Sequence, residues 1–221
     1  MNLNTRKKVF LIIWIIILLL GPITVLVNTS YESLTNPLVL TNFFQRLTGL
    51  TAYTLLGIQI ILGSNMDRFV QVVGARAYKL HITQGLITYG FVLFHPLLEN
   101  LLVYQITRSL VSAIQVFIPS FTTQRDIFLV FGRTAFILLT IAVFASYFRT
   151  KTFFRRNWRA FHILNYLVFY LVFIHARVGS DVKSFPFVLV YWLLIIIVSF
   201  SVILRLLKYF RFSQVSSKNA Q

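Results

Sequence analysis

The chain contains four histidines, and they fall into two pairs, His81 with His95 and His162 with His175. The first two are fourteen residues apart in "LHITQGLITYGFVLFHP" and the second two thirteen apart in "FHILNYLVFYLVFIHA", stretches that are otherwise mostly apolar. Neutral imidazole in such surroundings hydrogen-bonds between helices, relays protons or ligates a metal. A proton relay or a path for divalent cations calls for carboxylates inside the apolar runs. All five acids, Glu32, Asp67, Glu99, Asp126 and Asp181, instead fall in loops or at run boundaries. That distribution favours ligation, and a pair of facing imidazoles can hold a planar metal macrocycle from both sides.

The elements that must carry these residues are membrane helices. Of 221 residues 57% are hydrophobic and 12% charged, with a mean hydropathy of +0.79, more apolar surface than a water-soluble domain of this size uses. Six apolar windows, 9–27, 43–63, 78–97, 126–148, 160–176 and 185–207, are each close to or above the ~20 residues that cross a ~30 Å hydrocarbon core. The expected fold is an all-α integral membrane protein, a six-helix transmembrane bundle over residues 9–209. Residues 1–8 form its cytoplasmic N-terminus and 210–221 a cytoplasmic tail. Window 9–27 lacks a small-x-small cleavage site and reads as a retained first helix containing Pro22.

Cysteine is absent, which excludes disulfides, iron–sulfur clusters and the CxxCH attachment of c-type haem. Methionine occurs only at Met1 and Met66, so an axial methionine is not expected. No GxGxxG or GxxxxGK[ST] loop is present, which leaves any pyridine nucleotide to another protein.

The net charge of +16 raises a nucleic-acid reading, and its distribution removes it. Of the 21 basic residues, 15 fall on one side: before window one, between windows two and three, between four and five, and after six, counting Lys79 and Arg205 at the ends of windows three and six. The positive-inside rule then places both termini in the cytoplasm of a plasma-membrane protein, with no nucleic acid as partner. Residues 98–120 resemble a further span, but Gln105, Arg108, Ser112 and Gln115 form a polar stripe at helical spacing. We expect that segment to lie as an interfacial helix on the outer surface between spans three and four.

In this topology spans three and five run the same way, so His81 and His162 are near the inner face and His95 and His175 near the outer. The spacings correspond to about 21 and 19.5 Å of helix. Fourteen residues return to within about 40° of one face, whereas thirteen miss it by about 140°. Span five must therefore wind unevenly or present its two rings from different flanks. Iron in a porphyrin accepts neutral imidazole as axial ligand, which suits a dry interior.

His81 and His95 with Gly85 and Pro96, "NWRAFH" leading to His162, and "HARVGSD" from His175 resemble the ferric reductase-like transmembrane domain. Ferric reductases, NADPH oxidases and the haem subunit of periplasmic methionine sulfoxide reductases share it. The resemblance implies two haem b groups, the inner on His81 and His162 and the outer on His95 and His175. It implies electrons moving from a cytoplasmic flavin to an outer acceptor: ferric iron, oxygen or a periplasmic reductase. The FAD and NADPH domains of full-length relatives do not follow the last span here. The donor is then a separate cytoplasmic flavoprotein reductase, a flavin (FMN or FAD) bound at the inner face, or quinol. The chain would be an oxidoreductase component rather than a complete enzyme, and no catalytic acid, base or nucleophile is assigned. Arg46 matches an arginine on span two of the oxidases. Glu99 stands where they carry a histidine one turn beyond the outer ligand, and an outer carboxylate suits a cationic metal acceptor.

Supporting residues carry competing readings. Arg133, about seven residues into span four, is a candidate for an outer propionate or the acceptor; Arg46 and Arg177 serve there or snorkel to the boundary. Lys79 and Arg159 meet inner propionates or anchor the inner face. Gly85 admits the porphyrin edge or packs helices. Phe169 fills the gap between haems or packs the core. A reading of another class, a non-redox channel or metal transporter whose histidines hydrogen-bond, stays open, as does a subunit feeding a periplasmic reductase. In every reading, membrane lipid is a partner.

Overall fold

The computed structural model describes the backbone of residues 3–218 and the side chains of residues 5–207; Met1, Asn2 and residues 219–221 of the expected termini lie outside the described residues. Eight α-helices follow in order: α1 (Leu3–Val27), α2 (Pro37–Ser64), α3 (Met66–Val73), α4 (Arg76–Thr107), α5 (Leu110–Gln115), α6 (Gln124–Tyr147), α7 (Thr152–His175) and α8 (Phe187–Lys218). Six of them, all but α3 and α5, are long and apolar enough to cross a membrane, matching the six apolar windows. The chain is therefore all-helical and multi-pass in character.

Local chemistry sets the helix ends. Asn36 caps α2 by accepting the Leu38 N–H at 2.9 Å, and Pro37 takes the first turn, where its missing N–H is harmless. Thr123 and Asp126 form a reciprocal capping box at the start of α6, each side chain accepting the other's backbone N–H. Gly74, with φ of +80°, makes the turn between α3 and α4 that a side chain would strain.

Residues 98–120 differ from expectation. Pro96 does not end α4, which runs on to Thr107 and stops where Arg108 adopts a left-handed backbone, its N–H bonded to Tyr104 O at 2.8 Å. Residues 98–107 therefore extend α4, and the separate helix is only Leu110–Gln115. Gln105, assigned to an interfacial polar stripe, instead donates to Thr41 Oγ1 of α2 at 3.1 Å. That bond is possible because α2 and α4 stay packed along this extension.

Packing follows two hairpins. The most extensive contacts join α2 to α4 and α6 to α7, while α1 and α8 pack on α2. Between the hairpins, contacts of α4 with α6 and of α2 with α7 are sparse. The core gathers Tyr53, Phe169, Phe187, Val190, Tyr191 and Leu194, all buried. Their polar tips are satisfied inside it: Tyr53 Oη donates to Tyr191 O at 3.0 Å and Tyr191 Oη to Phe173 O at 2.9 Å. On the outside of the spans Ile12, Ile16, Leu86, Ile163 and Ile196 are exposed, which is the surface a lipid solvent requires.

Candidate metal-ligating site

Each level of the molecule brings one histidine from α4 against one from α7. The ring centres of His81 and His162 are 6.2 Å apart, and those of His95 and His175 are also 6.2 Å apart. The rings are steeply inclined to each other, at 68° and 76°. Helix α7 is continuous from Thr152 to His175, and His175 meets its partner from the last α-helical position, where a 3-10 turn begins.

A small residue on the other helix of each hairpin receives each ring. A Cβ built on Gly49 of α2 would lie 2.8 Å from His95 Cε1, and one on Gly63 would lie 3.0 Å from His81 Cε1. On α6 a Cβ at Gly132 would lie 2.5 Å from His175 Nδ1, and Ser146 Oγ stands 3.3 Å from His162 Nδ1. Gly49 and Gly63 are fourteen residues apart, as are Gly132 and Ser146, so α2 and α6 repeat the histidine period of α4. Each small residue also has a partner four residues earlier, and the segments "QRLTG" and "QIILG" make the repeat on α2 visible.

Those earlier residues set which nitrogen carries the proton. His95 Nδ1 donates to Gln45 O at 2.9 Å and His175 Nδ1 to Phe128 O at 3.1 Å, since a carbonyl can only accept. At His162 the neighbours pull both ways: Ser146, which gives its own proton to Ala142 O at 2.8 Å, offers an acceptor oxygen 3.3 Å from Nδ1, while the Asn165 Nδ2 donor stands 3.4 Å from the same atom. At His81 the same tautomer is fixed from the opposite side: Gln59 Nε2, a donor, faces His81 Nε2 at 3.3 Å. His95 and His175 thus hold the proton on Nδ1 and a free lone pair on Nε2, the arrangement in which a histidine is ready to ligate a metal, and His81 holds the same tautomer with the Gln59 amide beside its lone pair.

The donor set fits a macrocyclic metal. An imidazole nitrogen binds a transition metal at about 2 Å and lies about 1.1 Å from its ring centre, so one metal between two rings sets their centres about 6.3 Å apart. No group of three or more His, Cys, Asp or Glu side chains suited to a metal ion gathers among the described residues. Each level therefore offers two nitrogens, which leave a bare tetrahedral ion short of ligands but complete the coordination of an iron whose four equatorial donors come from a porphyrin. Among the described residues, seven buried side-chain N and O atoms are without a partner, and six of them sit on the two histidine-bearing hairpins: Gln59 Oε1, His81 Nδ1, Asn100 Oδ1, Gln105 Oε1, Arg133 Nη1 and Asn165 Oδ1.

No protein-family model, curated protein or solved structure matches the chain.

The remaining candidates divide. Arg133 follows Gly132 directly, and its buried Nη1 is without a partner, as an anion-binding guanidinium requires. Arg46 is already engaged: its Nε and Nη2 bond both oxygens of buried Asp181 at 2.6 and 2.7 Å, and its Nη1 donates to Thr29 Oγ1 at 3.1 Å. The space beside Gly85 is taken by Gln59, whose Nε2 would lie 2.9 Å from a Cβ there. Glu99 accepts from Gln45 Nε2 at 3.1 Å, so Gln45 holds His95 with its backbone and Glu99 with its side chain. Phe169 is fully buried against Tyr53, 5.5 Å between ring centres, at the height of Gly57. Arg159 lies over Trp158, 5.7 Å from the ring centre, and Arg177 over Phe128 at 5.8 Å. Sequence reasoning missed Gln59, Gly49, Gly63, Gly132 and Ser146. It also counted Arg205 only as topology, whereas Arg205 Nη1 donates to Gly63 O at 3.2 Å.

Proposed function

We propose that the chain is a transmembrane electron-transfer protein of the ferric reductase-like type, with two haem b groups held by His81 with His162 and by His95 with His175. The observation that carries this reading is the equal 6.2 Å separation of two ring pairs, with the Nε2 lone pair preset at His81, His95 and His175. Haem iron supplies reversible one-electron chemistry when bound at such sites. The chain's own residues would orient the rings and hold the Nδ1 protons of His95 and His175 on main-chain carbonyls.

With both termini in the cytoplasm of a plasma membrane, the level of His81 and His162 is the inner one. A reduced cytoplasmic flavoprotein, a bound flavin or quinol gives up electrons there one at a time, releasing protons on its own side. A one-electron acceptor outside, ferric iron, oxygen or a periplasmic reductase, takes them up. The exposed basic segment with Arg149, Lys151, Arg155, Arg156 and Arg159 fits an acidic donor face. Helix α5, whose Leu110, Val111 and Ile114 are exposed, fits the outer membrane interface.

The test is a reduced-minus-oxidised visible spectrum of detergent-purified protein, with haem quantified per chain, for the wild type and four single His→Ala variants. Two b haems per chain are expected, with losses grouping His81 with His162 and His95 with His175. A colourless wild type from haem-replete cells overturns the reading in favour of a channel or transporter.

A further inference from the structure

We propose that Gln59 is the positioning residue of the His81 site, tuning that level through a side chain where the other level is tuned by backbone. This inference rests on His81 being a haem ligand.

The two levels are built alike but held differently. At the level of His95 and His175 both Nδ1 protons go to main-chain carbonyls, Gln45 O and Phe128 O, which no substitution removes. His81 has no such carbonyl: its Nδ1 is buried and without a partner. What holds it is the carboxamide of Gln59, which donates to the His81 carbonyl at 2.7 Å and faces its Nε2 at 3.3 Å. Gln59 stands four residues before Gly63 just as Gln45 stands four before Gly49, so the same residue type occupies the same place in the repeat and acts through different atoms.

Gly85 completes the device. It lies one helical turn after His81, and a Cβ there would come within 2.9 Å of Gln59 Nε2. The missing side chain at 85 is what lets the amide reach the carbonyl. The close atom is the far end of a flexible side chain, so an alanine there displaces the amide without forcing the backbone apart.

The electrostatic consequence has a sign. An amide N–H keeps the positive end of its dipole beside the nitrogen that ligates, and the ferric state carries one more positive charge than the ferrous. Gln59 therefore favours reduction at its own level, and its removal lowers the midpoint potential there. The bond to the His81 carbonyl does not depend on the Nε2 lone pair, so the amide stays anchored when that lone pair is used.

The experiment is a spectroelectrochemical titration of purified wild type, Gln59→Leu and Gly85→Ala, with His81→Ala identifying which component belongs to which level. Both variants are expected to weaken reduction of the His81-level component at least threefold, about 28 mV for a one-electron couple, and to leave the other component in place. If Gln59→Leu fails to load, Gly85→Ala decides alone. Two haems per chain with both midpoints unmoved overturn the role of Gln59 and leave the electron-transfer reading intact. A wild type without haem overturns both.

Discussion

His175 leans on Gly132 so closely that a Cβ at that glycine would stand 2.5 Å from its Nδ1 and 2.7 Å from its Cγ. The contact is with ring atoms near the stem of the side chain, which cannot swing aside without losing the 3.1 Å bond from Nδ1 to Phe128 O. Gly132→Ala is expected to displace the ring and to reduce haem from two groups per chain to one. The weakening is on the order of tenfold or more in affinity, as for other supporting residues of metal ligands. Gly90 is the control, since a Cβ there meets nothing within 4 Å. Gly90→Ala should keep both haems and melt no lower than wild type, because alanine favours a helix over glycine by ~0.5–1 kcal/mol.

Arg46 and Asp181 make the other tight relationship in the molecule, and it argues for architecture. Asp181 is 3% exposed, accepts both guanidinium bonds and also accepts from Asn28 Nδ2 at 2.8 Å. The end of α1, the first half of α2 and the 3-10 turn Asp181–Lys183 meet at this carboxylate. Asp181→Ala leaves a mostly buried cation without its counter-charge and should destabilise the fold by about 3 kcal/mol. The double variant Arg46→Leu with Asp181→Leu should lose less than either single variant, because no unpaired charge remains. Thermal melting of all three in detergent checks this, and additive losses would show that the pair is not coupled.

The spans were legible because apolar run length is a property of each segment alone. So was the pairing of the histidines, since His81 and His95 at fourteen residues and His162 and His175 at thirteen place one imidazole of each helix at each level. The supporting residues are contacts between helices, and their register is not written in the period of either one. Gly63 matters because it faces His81, eighteen residues away across helix α3. The fourteen-residue echo of Gln45–Gly49 in Gln59–Gly63 was present as a signal, but it acquires meaning only beside α4. Arg46 was read toward a ligand because its partner lies 135 residues on in a loop. Residues 98–107 were misread for a local reason: a stripe of polar residues suggests an interface, whereas Gln105 bonds Thr41 of α2.

The basic segment between α6 and α7 gives a kinetic prediction. Arg149, Lys151, Arg155, Arg156 and Arg159 are all exposed, so their combined field acts through solvent and is screened with a Debye length of about 8 Å at physiological salt. Reduction by an acidic flavoprotein should slow as ionic strength rises, by association rate rather than by the final extent. Stopped-flow reduction at several salt concentrations tests it. A rate that does not respond to salt would remove this segment from donor docking.

Arg133 carries the sharpest electrostatic expectation. It is nine residues inside α6, next to the glycine on which His175 rests, and Asp181, the buried carboxylate, is taken by Arg46 instead. A guanidinium at that depth needs an anion, and its Nη1 has no partner among the described residues. On the proposed di-haem reading, a propionate at the level of His95 and His175 would supply that anion. The cation opposes the extra positive charge of the ferric state, so Arg133→Leu should lower the midpoint of that level at least tenfold in the reduction equilibrium, about 59 mV for one electron. Arg133→Lys keeps the charge but not the planar fork, and should shift it less while loosening the haem. Normal haem content with an unmoved midpoint in Arg133→Leu would mean that the guanidinium reaches out to the lipid headgroups.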